Sequence, residues 1–215
     1  MSEAYQPIAV GTVVAIQSGP LEGIKLVISE HVSHAHISGN YELETQLAVD
    51  RLVAPGSICY DLGASVGYLS LLMARKARHV YSFEPAPHAI AEFRGHIAAN
   101  GLRNITIVEK AVSDCERVVN FGLTDNAYGS CIVESGNGLE MITTTLDSFV
   151  ASNPHPNFIK IDVENEEGRV LEGARTVLRE SQPLICCELH SVDAAHAVQR
   201  ILHEYGYKIT TLTGE

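Results

Sequence analysis

The stretch from residue 56 to residue 73 constrains the fold more than any other part of the sequence. It begins with a short apolar run of strand type, Ile58–Tyr60. It continues through a turn that contains Gly63 and Gly67, and Tyr68–Lys76 then carries apolar residues at helical spacing. A strand, a tight turn and a helix form the first βα unit of an open α/β sheet. Ligands of such sheets bind at the carboxyl ends of the strands, so this turn is the first candidate site.

The composition of the turn indicates which ligand it holds. Gly63 and Gly67 carry no side chains at points where the backbone must bend sharply and approach a ligand closely. A dinucleotide turn has three glycines that seat a pyrophosphate on a helix N-terminus. This turn has two, and Asp61 precedes them. An acid suits a ligand with a cationic end, such as S-adenosylmethionine, better than a pyrophosphate. An ordinary glycine turn without a nucleotide stays open as the alternative.

A second acid follows the next expected strand. His79–Phe83 has strand composition, and Glu84 comes directly after it. An acid at this position can accept both hydroxyls of an adenosine ribose. A solvated acid at a strand end is the alternative for Glu84 alone, but Asp61 and Glu84 together indicate an adenosyl site more strongly than either acid does.

The rest of the chain alternates between strands and helices. Further strands are predicted at Ile105–Val108, Phe158–Asp162, Pro183–Glu188 and Tyr207–Leu212, and helices at 87–99, 193–205 and in a single segment that ends at Leu178. Because Pro183–Glu188 is apolar up to its last residue, we predict that it is a central strand. The alternation predicts a doubly wound α/β fold with a mostly parallel sheet.

Two segments lie outside this alternation. Residues 1–50 are predicted to form an N-terminal β decoration, with a hairpin and a short helix, ahead of a main domain at 51–215. Residues 124–138 are polar and rich in turn residues, and they lie between two β-rich runs at 118–122 and 141–145. We expect a hairpin-like insertion whose loop overhangs the site.

Composition limits the partners and the compartment. The chain has 215 residues, 46% of them hydrophobic, and a formal net charge of -11, which argues against a nucleic acid or an anionic membrane as the main partner. No apolar run reaches membrane-spanning length, and the N-terminus lacks the pattern of a signal peptide. The five cysteines form no C-x-x-C pair, and we expect them to be reduced and mostly buried in a cytoplasmic protein.

Three histidines, His31, His34 and His36, stand close together before the first core strand. Their spacing matches no common zinc motif, since a zinc site needs further ligands with matching geometry. A metal site, solvated loop histidines and substrate-site histidines all stay open.

An ordered series of segments resembles one family, the FkbM-like S-adenosylmethionine-dependent methyltransferases. The matching segments are Tyr60–Gly67, Phe83–Pro87, Asn100–Asn104, Ala111–Asp114, Thr144–Ser148, Ile159–Glu164, Val170–Ala174 and Pro183–His190. The match as a whole covers about residues 40 to 212. The sequence departs from the family in two places. Asn165 replaces a glycine, although Asn tolerates left-handed geometry. The hairpin that usually closes the sheet is not predicted in full, and its last strand is either absent or replaced by a strand of the insertion.

The resemblance implies a Rossmann-like class I methyltransferase domain with S-adenosylmethionine as the methyl donor. It places Asp61 and the glycines around the methionine part, Glu84 at the ribose, residues 111–113 at the adenine and Asp162 near the methyl group, with Tyr41 and Glu42 closing over the cofactor. The residues that it assigns to the cofactor are Tyr41, Glu42, Asp61, Gly63, Ala64, Gly67, Tyr68, Glu84, Pro85, Ala111, Val112 and Asp162. The family mostly methylates hydroxyl groups of sugars, polyketides and related small molecules.

The catalytic prediction concerns residues that follow the fourth and fifth strands. Methyl transfer is an in-line displacement, so positioning the acceptor matters most, and an alcohol acceptor also gains from a base. Asp162, Glu164 and His190 are the predicted catalytic residues, and the pKa range of histidine suits His190 to the role of base. Mg²⁺ held by Asp162, Glu164 and Asp193 is one alternative, and simple proximity is another.

Rival functions stay open. A nicotinamide dehydrogenase is disfavoured by the missing third glycine and by Asp61. A non-catalytic protein that binds the adenosyl cofactor, with a regulatory or assembly role, fits the donor motifs equally well. A nucleic-acid methyltransferase is disfavoured by the absence of an Asn/Asp-Pro-Pro-aromatic motif after Asp162. We expect a small-molecule acceptor and no nucleic-acid or membrane partner, and a homodimer is left open.

Overall fold

A computed structural model of the chain describes residues 8–122, 131–133 and 138–212. Its elements in chain order are β1 (Val13–Ala15), β2 (Lys25–Val27), α1 (His34–Ser38), α2 (Leu43–Leu52), β3 (Ile58–Leu62), α3 (Tyr68–Ala74), β4 (His79–Phe83), α4 (Pro87–Asn100), β5 (Ile105–Val108), β6 (Val118–Gly122), β7 (Cys131–Val133), β8 (Leu139–Ile142), α5 (Leu146–Val150), β9 (Phe158–Ile161), α6 (Glu167–Glu172), α7 (Arg175–Glu180), β10 (Leu184–Cys187) and α8 (Val192–Glu204).

The central sheet has five parallel strands in the order β10-β9-β3-β4-β5. The chain starts at β3 in the middle, moves to one edge through β4 and β5, and then crosses to β9 and β10 on the other side. This reversal of direction makes the fold doubly wound and leaves a crevice at the carboxyl ends of β3 and β9. The predicted α/β class and the parallel sheet are confirmed.

Two strand predictions are wrong. The first concerns β10, which is an edge strand, not a central one. Its sequence is apolar because both faces are covered even at the edge: Cys186 packs in the cluster that contains Val49 of α2, and Ile185 packs against the cluster that contains Val198 of α8. Apolar composition reports that both faces are covered, and it does not report the position in the sheet.

The second wrong prediction is a sixth strand at Tyr207–Leu212, where the described residues form no strand. The N–H of Tyr207 is used by the end of α8, because it donates to the carbonyl of Leu202. Gly206, with φ +78, makes the left-handed turn that this cap requires. The local β propensity of the segment is therefore not matched by a strand partner.

The predicted single helix through Leu178 is two helices, α6 and α7. The break lies at Gly173, where an added Cβ would lie 2.3 Å from the carbonyl oxygen of Ser113. The second helix then starts on a distant cap, because the Asp147 carboxylate accepts hydrogen bonds from the backbone N–H groups of Thr176 and Val177. Tertiary contacts, not local sequence, divide the segment.

Two hydrophobic clusters fill the faces of the sheet. Alternate side chains of β3 serve both, since Cys59 belongs to the first cluster and Tyr60 to the second. The predicted N-terminal hairpin is present as β1 and β2, and Leu26 of β2 and Ile16, which follows β1, lie in the same cluster as Leu72 of α3. The hairpin is thus packed into the core of the main sheet.

The predicted insertion is present in part. Strands β6, β7 and β8 form a separate antiparallel sheet in the order β7-β6-β8. Most of the loop at 124–138, which we expected to overhang the site, lies outside the described residues. Of the cysteines with described side chains, Cys59 and Cys186 are buried, Cys187 is partly buried and Cys115 is exposed, and all four are free. Within the described ranges, no helix has the length and apolar character that crossing a membrane requires.

Candidate functional site

A cleft at the carboxyl ends of β3 and β9 brings together many of the predicted cofactor residues. Its lining consists of Tyr41, Glu42, Gly63, Ala64, Ser65, Val66, Tyr68, Leu69, Lys160 and Asp162. The turn after β3, the loop before α2 and the end of β9 contribute these residues. The cleft lies at the switch point of the sheet, where ligands of doubly wound folds bind.

Gly63 and Gly67 have left-handed backbone conformations, with φ of +74° and +83°. The predicted sharp bend is therefore present. A Cβ at Gly63 would lie 1.8 Å from the carbonyl oxygen of Asp162, and a Cβ at Gly67 would lie 2.0 Å from the ring of Phe93. Other residues of the protein thus fill the space next to each glycine. The absence of a side chain at Gly63 lets the end of β3 approach the end of β9, and its absence at Gly67 lets α3 approach α4.

Asp61 lies beneath the cleft and is fully buried. Its Oδ2 accepts a hydrogen bond of 2.5 Å from the hydroxyl of Ser70, and its Oδ1 lies 3.4 Å from Nζ of Lys160 without a hydrogen bond in the described part of the chain. A buried carboxylate oxygen without a hydrogen bond costs free energy of folding. Such groups are expected mainly at functional sites. Asp61 gives the floor of the cleft a negative charge.

Lys160 is a site residue that the sequence analysis missed. It lies in β9 beside Asp61, its side chain is 7% exposed, and its ammonium group donates to the carbonyl of Gly63 and lies 3.1 Å from Oδ2 of Asp162. Burial lowers the pKa of Lys160, but the carboxylates of Asp61 and Asp162 outweigh it and raise this pKa above its usual value. A single charge inside the buried strand Phe158–Ile161 was the signal in the sequence.

Glu84 lies at the end of β4, as predicted, and is almost fully buried. Its two oxygens accept hydrogen bonds of 2.8 Å from the backbone N–H groups of Ser65, which lines the cleft, and Ala86, but Glu84 and Ala86 are not among the lining residues. Burial raises the pKa of Glu84 to about 7, and these two hydrogen bonds oppose the rise. The carboxylate links the glycine turn to the Pro85 turn, and each oxygen keeps a lone pair for a ligand.

Ala111 and Val112, which were predicted to lie at the adenine, are both buried. Val112 forms a parallel bridge with Thr144, in which the carbonyl of Ala111 accepts from the N–H of Thr144. The carbonyl of Ala111 is thus occupied by protein, and Ala111, Val112 and Pro85 are not among the lining residues of the cleft described above.

The three histidines have different environments. His36 is buried in α1 and stacks on Tyr41 with ring centroids 3.9 Å apart, while Tyr68 meets its edge. Burial and the neighbouring His96 lower the pKa of His36 to about 4. His31 lies 2.5 Å from Glu92 of α4. His36 therefore packs against Tyr41 and Tyr68, two aromatic residues that line the cleft. The histidine segment also contains the short helix α1, where no helix was predicted.

The predicted catalytic residues lie close together, although of the three only Asp162 is among the lining residues of the cleft. Nε2 of His190 lies 3.4 Å from Oδ1 of Asp162 and 3.8 Å from Oε2 of Glu164. Glu164 and Asn165 have φ of +48° and +73°, so Asn165 holds the left-handed turn that was expected of it. Burial lowers the pKa of His190, but the hydrogen bond with Glu167 and the charges of the neighbouring acids outweigh it and raise this pKa.

Glu167 is the second residue that the sequence analysis missed. It is fully buried, and its Oε1 lies 2.5 Å from Nδ1 of His190. Its Oε2 is also buried and has no hydrogen-bond partner among the described residues. An acid in the first turn of a helix is usually solvated, and nothing in the local sequence distinguishes this one.

The metal alternatives gain no support from the geometry. In the described ranges, no group of three or more histidine, cysteine, aspartate or glutamate side chains is arranged to hold a metal ion. This covers the three N-terminal histidines and the set Asp162, Glu164 and Asp193.

Solved structures share this fold. A precorrin-6y C5,15-methyltransferase from Geobacter metallireducens matches with a TM-score of 0.54 and 12% identity, over 85% of this chain and 77% of that chain. An FkbM methyltransferase from Methylobacillus flagellatus matches with a TM-score of 0.52 and 22% identity, over 69% of this chain and 37% of that chain. The fold of this chain is therefore the Rossmann-like fold that these two methyltransferases have.

The chain belongs to the FkbM methyltransferase family, since the family model of the methyltransferase FkbM domain matches residues 61–209. The predicted family is thereby confirmed. An uncharacterised RNA methyltransferase of Halalkalibacterium halodurans, BH0687, is 33% identical over 73 residues, which are 34% of this chain and 15% of that protein. The matches to curated relatives span only 24% and 15% of the lengths of those proteins.

Proposed function

We propose that the protein is an S-adenosylmethionine-dependent methyltransferase that methylates a hydroxyl group of a small molecule. One observation carries the proposal: His190, a candidate base, faces Asp162 at 3.4 Å, and Asp162 lines the cleft beside the glycine turn. A donor site and a proton acceptor thus meet at one place, which is what transfer to a hydroxyl requires.

The residues of the cleft fit the donor. S-adenosylmethionine supplies an electrophilic methyl group on a sulfonium and carries an ammonium group. Glu42 and Asp162 line the cleft, and Asp61 lies beneath it with a buried oxygen that accepts no hydrogen bond among the described residues. This excess of acid suits two cationic groups, and it opposes a pyrophosphate. Glu84 would hold the ribose, and the rings of Tyr41 and Tyr68 would cover the ligand.

The residues around His190 fit the removal of a proton from a hydroxyl. Nε2 of His190 lies 3.4 Å from Oδ1 of Asp162, which lines the cleft, and the His190 side chain is 20% exposed, so an acceptor can approach it. The neighbouring acids raise the pKa of His190, which makes it a stronger base in its neutral form. Asp162 would orient the hydroxyl and stabilise the imidazolium that forms.

The name of one relative supports RNA as a second candidate acceptor, because BH0687 is described as an RNA methyltransferase. The charge of this chain opposes it. The formal net charge is -11, and three of the acids lie at or under the cleft. A polyanion would meet repulsion there, since nucleic-acid sites are basic. We therefore propose a small-molecule acceptor, and a cytoplasmic location that agrees with free cysteines.

An acceptor screen tests this function. The purified chain is incubated with S-adenosylmethionine and pools of hydroxylated metabolites, amines or total RNA, with Mg²⁺ or with a chelator, and S-adenosylhomocysteine is measured. We expect product with a hydroxyl acceptor, unchanged by the chelator. His190→Ala should keep cofactor affinity and lower turnover at least about tenfold. Transfer to RNA alone, or full turnover by the His190→Ala variant, would contradict the proposal.

A further inference from the structure

The environment of His190 is asymmetric, and the asymmetry lies in what its two ring nitrogens meet. Nδ1 meets Glu167, which is fully buried, at 2.5 Å. Nε2 meets Asp162 and Glu164, which are both partly exposed, at 3.4 and 3.8 Å. One nitrogen is therefore fixed by a buried group, and the other lies beside two partly exposed acids.

The hydrogen bond to Glu167 determines which nitrogen carries the proton. A carboxylate only accepts hydrogen bonds, so Nδ1 must donate and carry the hydrogen. In the neutral ring Nε2 is then the free base. Oε1 of Glu167 also accepts a hydrogen bond of 3.2 Å from the backbone N–H of Asn165, which lies in the left-handed turn between Asp162 and α6. The carboxylate thus ties the imidazole to the turn that carries the other two acids.

The burial of Glu167 is costly for stability alone. Its Oε2 is buried without a hydrogen-bond partner in the described residues, and an unsatisfied charged oxygen costs free energy. An apolar residue of similar size would pack there without that cost. Groups that break such a local rule are expected at functional sites.

We infer that Glu167 is a positioning residue for the transfer reaction, which holds His190 with hydrogen on Nδ1 so that Nε2 takes the proton of the acceptor hydroxyl. The inference rests on the function proposed above. In the step, the lone pair of Nε2 forms a bond with the acceptor proton. The acceptor oxygen keeps the electron pair of its O–H bond and uses it to bond the methyl carbon, and the sulfonium sulfur leaves with the C–S electrons. Glu167 keeps its charge throughout and stabilises the imidazolium.

The charges around His190 make a second consequence measurable. Among the described residues, the acids Glu167 on α6 and Asp162 and Glu164 in the turn after β9 raise the pKa of His190, and His190 in turn lowers the pKa of Glu188 after β10. Removal of the charge on Glu167 should therefore lower the pKa of His190 while the other acids keep part of its rise. A group that only packed against the ring would not move this pKa in that direction.

Glu167→Gln is the central variant, because the amide oxygen can still accept from Nδ1 while the charge is lost. Glu172→Gln on the same helix is the matched control, since it removes the same charge from a carboxylate that binds Arg175 and Arg200 at the surface. Circular dichroism checks that both variants fold. The readouts are the pH profile of kcat/KM and the ¹⁵N signals of the His190 ring, assigned by their absence in His190→Ala.

We expect the neutral His190 ring to carry hydrogen on Nδ1. In Glu167→Gln, the pKa of His190 should fall by about one unit. The acid limb of kcat/KM should move to lower pH by the same amount, and the plateau of kcat should fall about tenfold with KM unchanged. The control should match the wild type. Hydrogen on Nε2, or an unmoved acid limb in folded Glu167→Gln, would overturn the inference.

The two proposals fail differently. The ¹⁵N measurement needs no acceptor and no turnover, so it tests the hold of Glu167 on His190 even if no acceptor is methylated. If no acceptor is methylated but the ¹⁵N signals of the His190 ring change in Glu167→Gln, the proposed function is overturned and the positioning of His190 by Glu167 is supported. Transfer that is insensitive to Glu167→Gln, with an unchanged ring signal, would overturn the orientation and support the function.

Discussion

Nζ of Lys160, a residue of β9, lies 3.1 Å from Oδ2 of Asp162, the residue that directly follows this strand. The same ammonium group donates to the carbonyl of Gly63 and lies 3.4 Å from Asp61. One buried cation therefore links β3, β9 and the residue that faces His190. This link explains why a lysine stands in a strand whose other residues are apolar.

Replacement of Lys160 by Met should destabilise the fold strongly, because Asp61 and Asp162 would lose the cation between them in a buried site. The free energy of unfolding should fall by about 3–5 kcal/mol. Lys76→Met is the control, since Lys76 pairs with Asp50 at the surface, and it should cost less than about 1 kcal/mol. Urea denaturation measures both. Equal losses in the two variants would show that the Lys160 cluster is not an interdependent charge network.

Gly63→Ala should displace the end of β9. The new Cβ would meet the carbonyl of Asp162, and Ala would also have to adopt a φ of +74°. The expected loss of stability is about 2–5 kcal/mol in sum, together with weaker cofactor binding. Gly101→Ala separates the two effects, because Gly101 has φ +64° with no atom near a new Cβ, and it should lose only about 1–2 kcal/mol. Full stability of Gly63→Ala would contradict the close contact of β3 and β9.

Glu84 should release a proton when the cofactor binds. Its pKa is raised to about 7, mainly by burial, so the folded chain binds this proton more tightly than the unfolded chain does. The resulting contribution to stability is complete below the ordinary pKa of 4.5 and is lost as pH rises through about 7. A ribose that donates to the carboxylate favours the charged form.

Calorimetric titration at pH 7 in phosphate and in Tris measures this release, because the two buffers differ in their heat of ionisation. We expect release of about half a proton for the wild type, with affinity rising between pH 6 and pH 8. Glu84→Gln should bind more weakly and show no difference between the buffers. Identical heats in both buffers for the wild type would refute a titrating Glu84 at the ribose.

Asn165→Gly should be tolerated, since both residues adopt the left-handed φ of +73° that the turn after Glu164 requires. Stability should change by no more than about 1 kcal/mol, and turnover should be kept. Asn165→Val is the contrasting variant, because a β-branched residue is a genuine outlier at such a φ. Thermal unfolding distinguishes them, and equal melting temperatures for the Gly and Val variants would show that the turn does not depend on left-handed geometry.

The sequence was sufficient where local pattern and burial agree. Periodicity located β4 and β5, and the glycine turn was predicted as a candidate site where the structure has a cleft. The family pattern also predicted that Asn165 would hold a left-handed turn, and the structure has it. In these places the local structure depends on residues that are only a few positions apart in the chain.

The failures share a different cause, which is that the deciding contact is distant in sequence. Tyr207–Leu212 has strand composition, but its first N–H caps α8 at Leu202. The helix break at Gly173 depends on Ser113 and Asp147. Glu167 and Lys160 acquire their roles only when strands far apart in the chain place His190 and Asp61 beside them. Local sequence carries no record of such partners.

The central claim is that the cleft binds the adenosyl methyl donor. Isothermal titration of the purified chain with S-adenosylmethionine, S-adenosylhomocysteine and NAD⁺ in parallel tests it most directly. We expect binding of the two adenosyl ligands, loss of that binding in Glu84→Ala, and no heat with NAD⁺. Binding of NAD⁺ with no binding of either adenosyl ligand would contradict it.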